Sequence, residues 1–331
     1  MKTPLSLLPD LPTLTDRLSA GLDDAGLERP VKILQRELPK HMSTFPNEIV
    51  TCRLPDGRRQ RVFIKYGAGR SHPAFGHRAG LAYEAEVYRR VLEPLTNFRP
   101  KCLGSHTDPE TGDATLLLEY AYRSKRLSDI SWKRPRRQAQ LMMQTARWLG
   151  RFHAEHEPRV QSRSLAFLKR YDAAYYRGWA QRTFKFARPL LGRFPWLTEL
   201  RKASEAWFAP LESAPRTVIH GEFYSKTVLV RGQNLFLVDW ETAAIAPGEI
   251  DLATLIDGKG WPATLVRQCE YHYQRARWTE GTPSDFWRVL EAARMYLQFR
   301  WLGEWPDRAV REKTLWRYDH LYAAAKRLGF L

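Results

Sequence analysis

The residues best suited to chemistry in this chain are two carboxylates, Glu222 in the run His220-Gly221-Glu222 and Asp239 in Val238-Asp239-Trp240. Both lie in the segment 218–242, VIHGEFYSKTVLVRGQNLFLVDWET, which reads as an apolar run, a turn, and two further apolar runs, Thr227 to Val230 and Leu235 to Val238. Short strands that each deliver a carboxylate to one end of a hairpin can hold a general base and a metal ligand close together.

The rest of the chain has to position that segment. From Val31 the pattern is β-type: VKILQREL, IVTCRL and RRQRVFIKYG, with Asp56-Gly57 as a hairpin turn, predict three antiparallel strands within 31–66, the last closed by Lys65. Residues 66–80 hold four glycines and neither GxxxxGK[ST] nor GxGxxG, so they read as a connector. LAYEAEVYRRVLEPL (81–95) reads as a helix with Glu84 and Glu86 near its start and Pro94 at its end. Residues 100–123 read as a second hairpin around DPETGD, ending in the apolar strand TLLLEYAY. Beyond it the chain turns helical. APGEIDLATLIDGKG (246–260) is a loop leading to a short helix with Asp251, and 262–331 reads as three or four amphipathic helices. The expected fold is α+β: a peripheral helical extension over 1–30, a lobe over 31–120 with an antiparallel five-stranded sheet and one helix, and a larger, mainly helical lobe over 121–331.

Composition sets the bounds. With 331 residues, 44% of them hydrophobic, the chain can bury two cores. Its 53 basic and 36 acidic residues give a formal charge of +17, which favours anionic partners and admits a peripheral contact with an acidic membrane surface. The basic run KRPRRQ (133–138) comes without an RNA- or DNA-binding motif, so nucleic acid is not the expected partner. Cys52, Cys102 and Cys269 are odd in number and far apart, which points to neither a disulfide framework nor a zinc site, and a reducing cytoplasm is the default. The first residues, broken by Pro4, Pro9 and Asp10, do not read as a secretory signal, and no window approaches the ~20 apolar residues of a membrane span.

A β-lobe with a strand-end lysine, a helix with a glutamate, and a helical lobe with a His-x-carboxylate turn and an Asp-ending strand resembles the kinase-like phosphotransferases. The closest resemblance is to the aminoglycoside phosphotransferase and choline kinase superfamily. Its members read HGD or HGE, four residues, an Asn, an apolar strand, IDW or IDF and a DLA tail, where this chain has HGEFYSKT, VLV, LVDWE and IDLATL. The resemblance runs in order and spacing over about 30–330 and implies a protein-kinase-like two-lobed fold. It implies a cytoplasmic kinase that moves the γ-phosphoryl group of ATP or GTP, with Mg2+, to a hydroxyl of a small molecule such as a metabolite, sugar, lipid head group or natural product. A strongly basic chain argues against a cationic aminoglycoside and admits an anionic acceptor.

By that resemblance Lys65 holds the α- and β-phosphates, steadied by Glu84 or, alternatively, Glu86. Ser43 and Thr44 reach the phosphates, and the backbone of Glu119, Tyr120 and Ala121 meets the base. Asp239 chelates the metal, with Glu241 supporting it or standing as a solvated acid. Glu222 takes the place of the catalytic base, as in the HGEFY branch of uncharacterised members, with His220 bracing its turn and Asp251 tying a helix to it. Thr227 stands where the family has its metal-binding Asn, and Lys226 adds a charge beside it. Two outcomes follow: a working site in which Lys226 shares the neutralising task, or a nucleotide-binding or regulatory protein of impaired activity. Glu304 and Asp307 fall where late helices gather acceptor contacts. The aromatic series Tyr171, Tyr175, Tyr176, Trp179 and Trp196, and His153, read as core.

Overall fold

The Asp56-Gly57 turn closes as its sequence predicts: Gly57 takes φ 82°, and the flanking strands pair antiparallel from Arg53 opposite Arg59 to Asn47 opposite Lys65. The structure, a computed structural model, describes residues 8–30, 32–40, 45–67, 75–95, 97–130, 135–204, 206–257 and 261–331. Two compact units form, one of Met1–Arg126 with Thr227–Thr242, the other of Leu127–Lys226 with Ala243–Leu331.

The first unit opens with α1 (Leu11–Asp24), β1 (Lys32–Glu37), β2 (Asn47–Arg53), β3 (Arg59–Tyr66), α2 (Leu81–Val87), β4 (Cys102–Thr107), β5 (Ala114–Glu119) and β6 (Lys125–Arg126). The antiparallel sheet has the order β1-β2-β3-β5-β4. Helix α1 is more than an extension: capped by Asp10, it lays Leu14, Leu18 and Leu22 on Val50, Val62, Ile64 and Leu117. Its backbone comes so close to β4 that a Cβ at Gly104 would stand 1.8 Å from the Gly21 carbonyl oxygen. The helix expected over 81–95 is α-helical only to Val87; a π-helical turn, Tyr88–Leu92, carries it on and buries Tyr88, Val91 and Leu92.

The second unit begins with α3 (Pro135–His156), β7 (Lys169–Arg170), α4 (Ala173–Phe186), α5 (Trp196–Lys202), α6 (Ala209–Ser213) and β8 (Arg216–Ile219). The chain then passes through β9 (Val228–Arg231) and β10 (Asn234–Leu237) of the first unit. It returns with β11 (Ala244–Pro247), α7 (Glu249–Ile256), α8 (Ala263–Arg277), α9 (Phe286–Glu304), α10 (Pro306–Val310) and α11 (Trp316–Arg327). The segment 218–242 is not one hairpin. Only β9 and β10 pair with each other, extended by β6, whereas β8 pairs with β11, which in turn lies beside β7. Helix α9 is buried on nearly every side, and Tyr171, Tyr176 and Trp179 are core residues, the two tyrosines packed on Tyr296, Tyr176 also on Phe208, and Trp179 on Tyr175. Among the described residues no helix is long and apolar enough to cross a membrane.

Candidate active site

In the first unit, β3 carries Lys65 as its last residue but one, α2 presents Glu84 one turn from its start, and β10 runs toward Asp239. The three side chains meet. The buried Lys65 Nζ lies 2.9 and 2.8 Å from the two Glu84 carboxylate oxygens and 3.0 Å from Asp239 Oδ1. Burial alone would push the ammonium down, but Glu84 and Asp239 outweigh it, so Lys65 is shifted up and stays charged. The Trp240 N–H donates to Glu84 Oε1 at 3.1 Å, which locks the turn after β10 to α2. Glu86 is elsewhere, paired with Arg89 and Arg90 on the outer face of its helix, so the choice between the two glutamates falls on Glu84.

Asp239 takes φ 76°, a left-handed backbone that an aspartate tolerates and that costs about 1 kcal/mol or more. The buried Trp240 and its bond to Glu84 hold it there. Asp239 remains 31% exposed while Glu84 and Glu241 are buried. Glu241 is no solvated acid: it pairs with Arg78, and burial together with the charge of Asp239 pushes it up to about 7. Across the β9–β10 hairpin the Val238 N–H donates to the Thr227 carbonyl at 3.1 Å, which sets buried Thr227 beside the residue preceding Asp239. No group of three or more His, Cys, Asp or Glu among the described residues forms a ready-made metal cage. Asp239, the least buried of these carboxylates, offers hard oxygen of the kind magnesium takes from protein when phosphates supply the remainder, so the donor type fits such an ion.

Ser43 and Thr44 lie outside the described residues. At the end of β5, Glu119 Oε2 accepts from the Lys101 N–H at 3.3 Å. The Tyr120 carbonyl accepts from Tyr122 and that of Ala121 from Ser124, while the Ala121 N–H donates to none of the described residues.

In the second unit the turn after β8 is built on α7. Asp251, fully buried, accepts from the His220 N–H at 2.6 Å and from the Gly221 N–H at 2.9 Å, one on each carboxylate oxygen. Burial pushes Asp251 up to about 6, against the pull of His220 and these two bonds. His220 Nδ1 accepts from the Glu222 N–H at 3.3 Å, so the imidazole shapes the turn from within it. Gly221 takes φ 83°, and the Tyr224 N–H closes on the Glu222 carbonyl at 2.7 Å. His153 is a core residue, 3.4 Å from Asp251, and burial holds it well below the usual histidine range.

The partner of Glu222 is one that sequence reasoning missed. Arg300 of α9, also buried, lies 3.1 Å from Glu222 Oε1 and donates to the Tyr224 hydroxyl at 2.7 Å. A sequence signal existed: an arginine inside the apolar run MYLQFRWLG needs a buried acid. Glu304 is likewise buried, committed to Arg308 and 3.8 Å from Arg300, whereas Asp307 is at the surface with Arg311. Lys226, on the exposed side of the turn, holds its ammonium 4.9 Å from the centre of the Tyr224 ring.

A family model described as "Phosphotransferase enzyme family" matches residues 70–284. Among solved structures, the chain resembles a choline kinase from Streptococcus pneumoniae (TM-score 0.58, 13% identity, 91% of this chain and 95% of that one). It also resembles a choline/ethanolamine kinase family protein from Mesorhizobium loti (0.55, 16%, 96% and 94%). A third similar structure is the amicoumacin kinase hAmiN in complex with AMP-PNP, Ca2+ and Ami (0.55, 13%, 97% and 93%). No curated protein sequence matches.

Proposed function

We propose that this chain, which belongs to the phosphotransferase enzyme family, moves the γ-phosphoryl group of ATP, or GTP, to a hydroxyl group of a small molecule. The observation that carries the reading is the buried Lys65 held charged between Glu84 and Asp239. A lysine kept charged by two carboxylates is a cation in place for α- and β-phosphates; its three N–H donors are spent on Glu84 and Asp239, so the bond to Asp239 would give way as phosphate and metal arrive. The amicoumacin kinase complex with AMP-PNP and Ca2+ supports a nucleotide and a divalent cation as the companions of this fold. Asp239, with the Thr227 hydroxyl, would hold the ion, which when bound neutralises developing phosphate charge. Backbone groups of Glu119 to Ala121 would meet the base, the Ala121 N–H among them.

In the reaction the acceptor oxygen forms a bond to the γ-phosphorus as the bond to the β-phosphate oxygen breaks. The electron pair of that bond leaves on ADP, and the acceptor proton passes to Glu222. Asp251 and His220 keep the Glu222 turn in shape, Glu241 with Arg78 supports Asp239, and Glu304 steadies the Arg300 side.

A second reading has its own observation: Thr227 replaces a carbonyl donor with a hydroxyl, and the Glu222 carboxylate already lies against Arg300. It makes the chain a nucleotide-binding or regulatory protein without efficient transfer. ADP release over a panel of hydroxyl acceptors, read beside the shift in melting temperature on adding ATP with and without Mg2+, separates the two. Transfer that Asp239→Ala abolishes supports the enzyme; Mg2+-independent nucleotide binding with no transfer to any acceptor overturns it.

A further inference from the structure

The surroundings of Glu222 within its own unit carry an inference about the acceptor. Tyr224 and Trp301 stand as an edge-to-face pair with ring centres 5.8 Å apart, and Trp301 Nε1 donates to the Tyr224 hydroxyl. An aromatic pair beside an acid is a receptor for an organic cation when its faces and its acids are open. Here both are taken by the chain itself. Lys226 sits 4.9 Å from the Tyr224 ring centre, and the guanidinium carbons of Arg317, Arg308 and Arg300 lie 4.2, 5.3 and 5.4 Å from that of Trp301.

The acids are spent in the same way. Glu222 faces Arg300, Glu304 binds Arg308, and Asp257 binds Arg317 at 3.2 Å with His320 3.7 Å away. Glu222, Glu304 and Asp257 are each less than a tenth exposed, so around the ring pair it is cations that reach solvent, Lys226 and the partly exposed head of Arg308, while the exposed Asp307 next in sequence is matched by Arg311. Arg300, although buried, still has no hydrogen-bond partner for its Nε among the described residues, which leaves this cluster of cations incompletely satisfied. A cationic acceptor would have to expel an intramolecular guanidinium from a ring face; an anionic one meets cations already in place.

From this we infer that the acceptor is a hydroxylated acid, whose carboxylate or phosphate docks on Lys226 and Arg308 beside Tyr224 and Trp301. The inference rests on the phosphotransferase reading for the word acceptor, but the anion site itself is separable from it.

The test follows ADP release with ATP, Mg2+ and one compound at a time: gluconate and glycerol 3-phosphate as acids, sorbitol and glycerol as their neutral counterparts, choline and ethanolamine as cations. An acid is expected to exceed its neutral counterpart by about tenfold or more in kcat/KM, the worth of one charge-assisted contact. Arg308→Ala should narrow that ratio to near unity, and exposed Lys226→Ala serves as the second variant should loss of Arg308 unsettle Glu304. Gluconate against glycerol 3-phosphate tells carboxylate from phosphate. Turnover of choline, ethanolamine or the neutral polyols as fast as the acids overturns the inference and leaves the phosphotransferase reading standing. If nothing is phosphorylated, the melting temperature decides: a rise with gluconate or glycerol 3-phosphate that Arg308→Ala removes upholds the anion site while the transfer reading fails. No rise with either acid overturns the anion site too.

Discussion

The two units hold their buried charges in opposite senses. Around Lys65 a single lysine is enclosed by Glu84 and Asp239, with Glu241 and Arg78 behind them. Around Glu222 a single acid is enclosed by cations: Arg300 directly, then Arg308 and Arg317 about Trp301, with Glu304 and Asp257 as their counter-charges. Acids in excess keep one lysine fixed and, on the proposed function, would suit a region that takes in a metal ion beside phosphates. Three arginines with Lys226 against three acids orient a carboxylate while leaving little for a cationic substrate. The same fold thus divides its electrostatic work by sign, and each half of that division can be broken separately.

The largest expected effect is at Asp239. Asp239→Ala should lower turnover by about 1,000-fold or more, the scale on which transition-state charge stabilisation is lost. Lys65 keeps both bonds to Glu84, so the circular dichroism spectrum should persist, while the melting transition should fall modestly because alanine tolerates the left-handed backbone at 239 less well than aspartate. Full turnover in this variant would reduce the acids of the first unit to a structural anchor. Next comes Arg300→Met, which removes a buried counter-charge of Glu222 and should cost about 3–5 kcal/mol in urea unfolding, as breaking a buried pair does. Adding Glu222→Gln should return part of that loss, because the uncompensated charge is gone. Strictly additive losses in this double-mutant cycle would mean that the pair is not coupled.

How much of this division was readable from sequence follows from how far each contact reaches. Lys65, Glu84 and Asp239 lie in or just after elements with a clear period, so those elements were legible; the family resemblance paired Lys65 with Glu84 or Glu86, the structure joins it to Glu84, and its bond to Asp239 was not foreseen. The β8–β11 pairing was not: an apolar run says that a strand exists but not which neighbour it joins, and nearness in sequence suggested that the strands of 218–242 form one hairpin. The π-turn after Val87 hides because its residues have ordinary helical propensities. Arg300 was passed over because its acid lies on a turn far upstream, and helical spacing reveals only partners on the same helix.

A smaller effect is expected at Asp251, which serves the turn of the second unit by geometry. Asp251→Asn keeps one acceptor oxygen but turns an N–H donor toward either the His220 or the Gly221 amide, so about 1–3 kcal/mol of stability should go. The pH dependence has a definite sign. Burial raises Asp251 from an unfolded value of about 3.9 to about 6 in the folded chain. Its contribution to stability is therefore full below the unfolded value, falls as pH rises through the folded value, and is flat above it. Subtracting the Asp251→Asn stability from that of the parent chain at each pH between 4 and 7 isolates this term. A difference that stays level over that window would place the Asp251 carboxylate in a far wetter setting than its burial implies.

The smallest effect tests whether the acid-rich unit is tuned for the proposed metal. Thr227→Asn places a side-chain carbonyl where the hydroxyl is, beside the residue that precedes Asp239 in the paired hairpin. The site is buried, so the larger amide should cost about 1 kcal/mol of packing. Turnover at saturating Mg2+ should be preserved or rise by no more than a few-fold, and the Mg2+ concentration giving half-maximal rate should fall, since a carbonyl oxygen is the better hard donor. A rise of a hundredfold would instead show that Thr227 holds the parent chain in an impaired state, and the electrostatic division between the units would then describe an inherited frame more than a working enzyme. No change in the Mg2+ dependence would remove residue 227 from the metal's ligands and leave Asp239 as the protein's contribution.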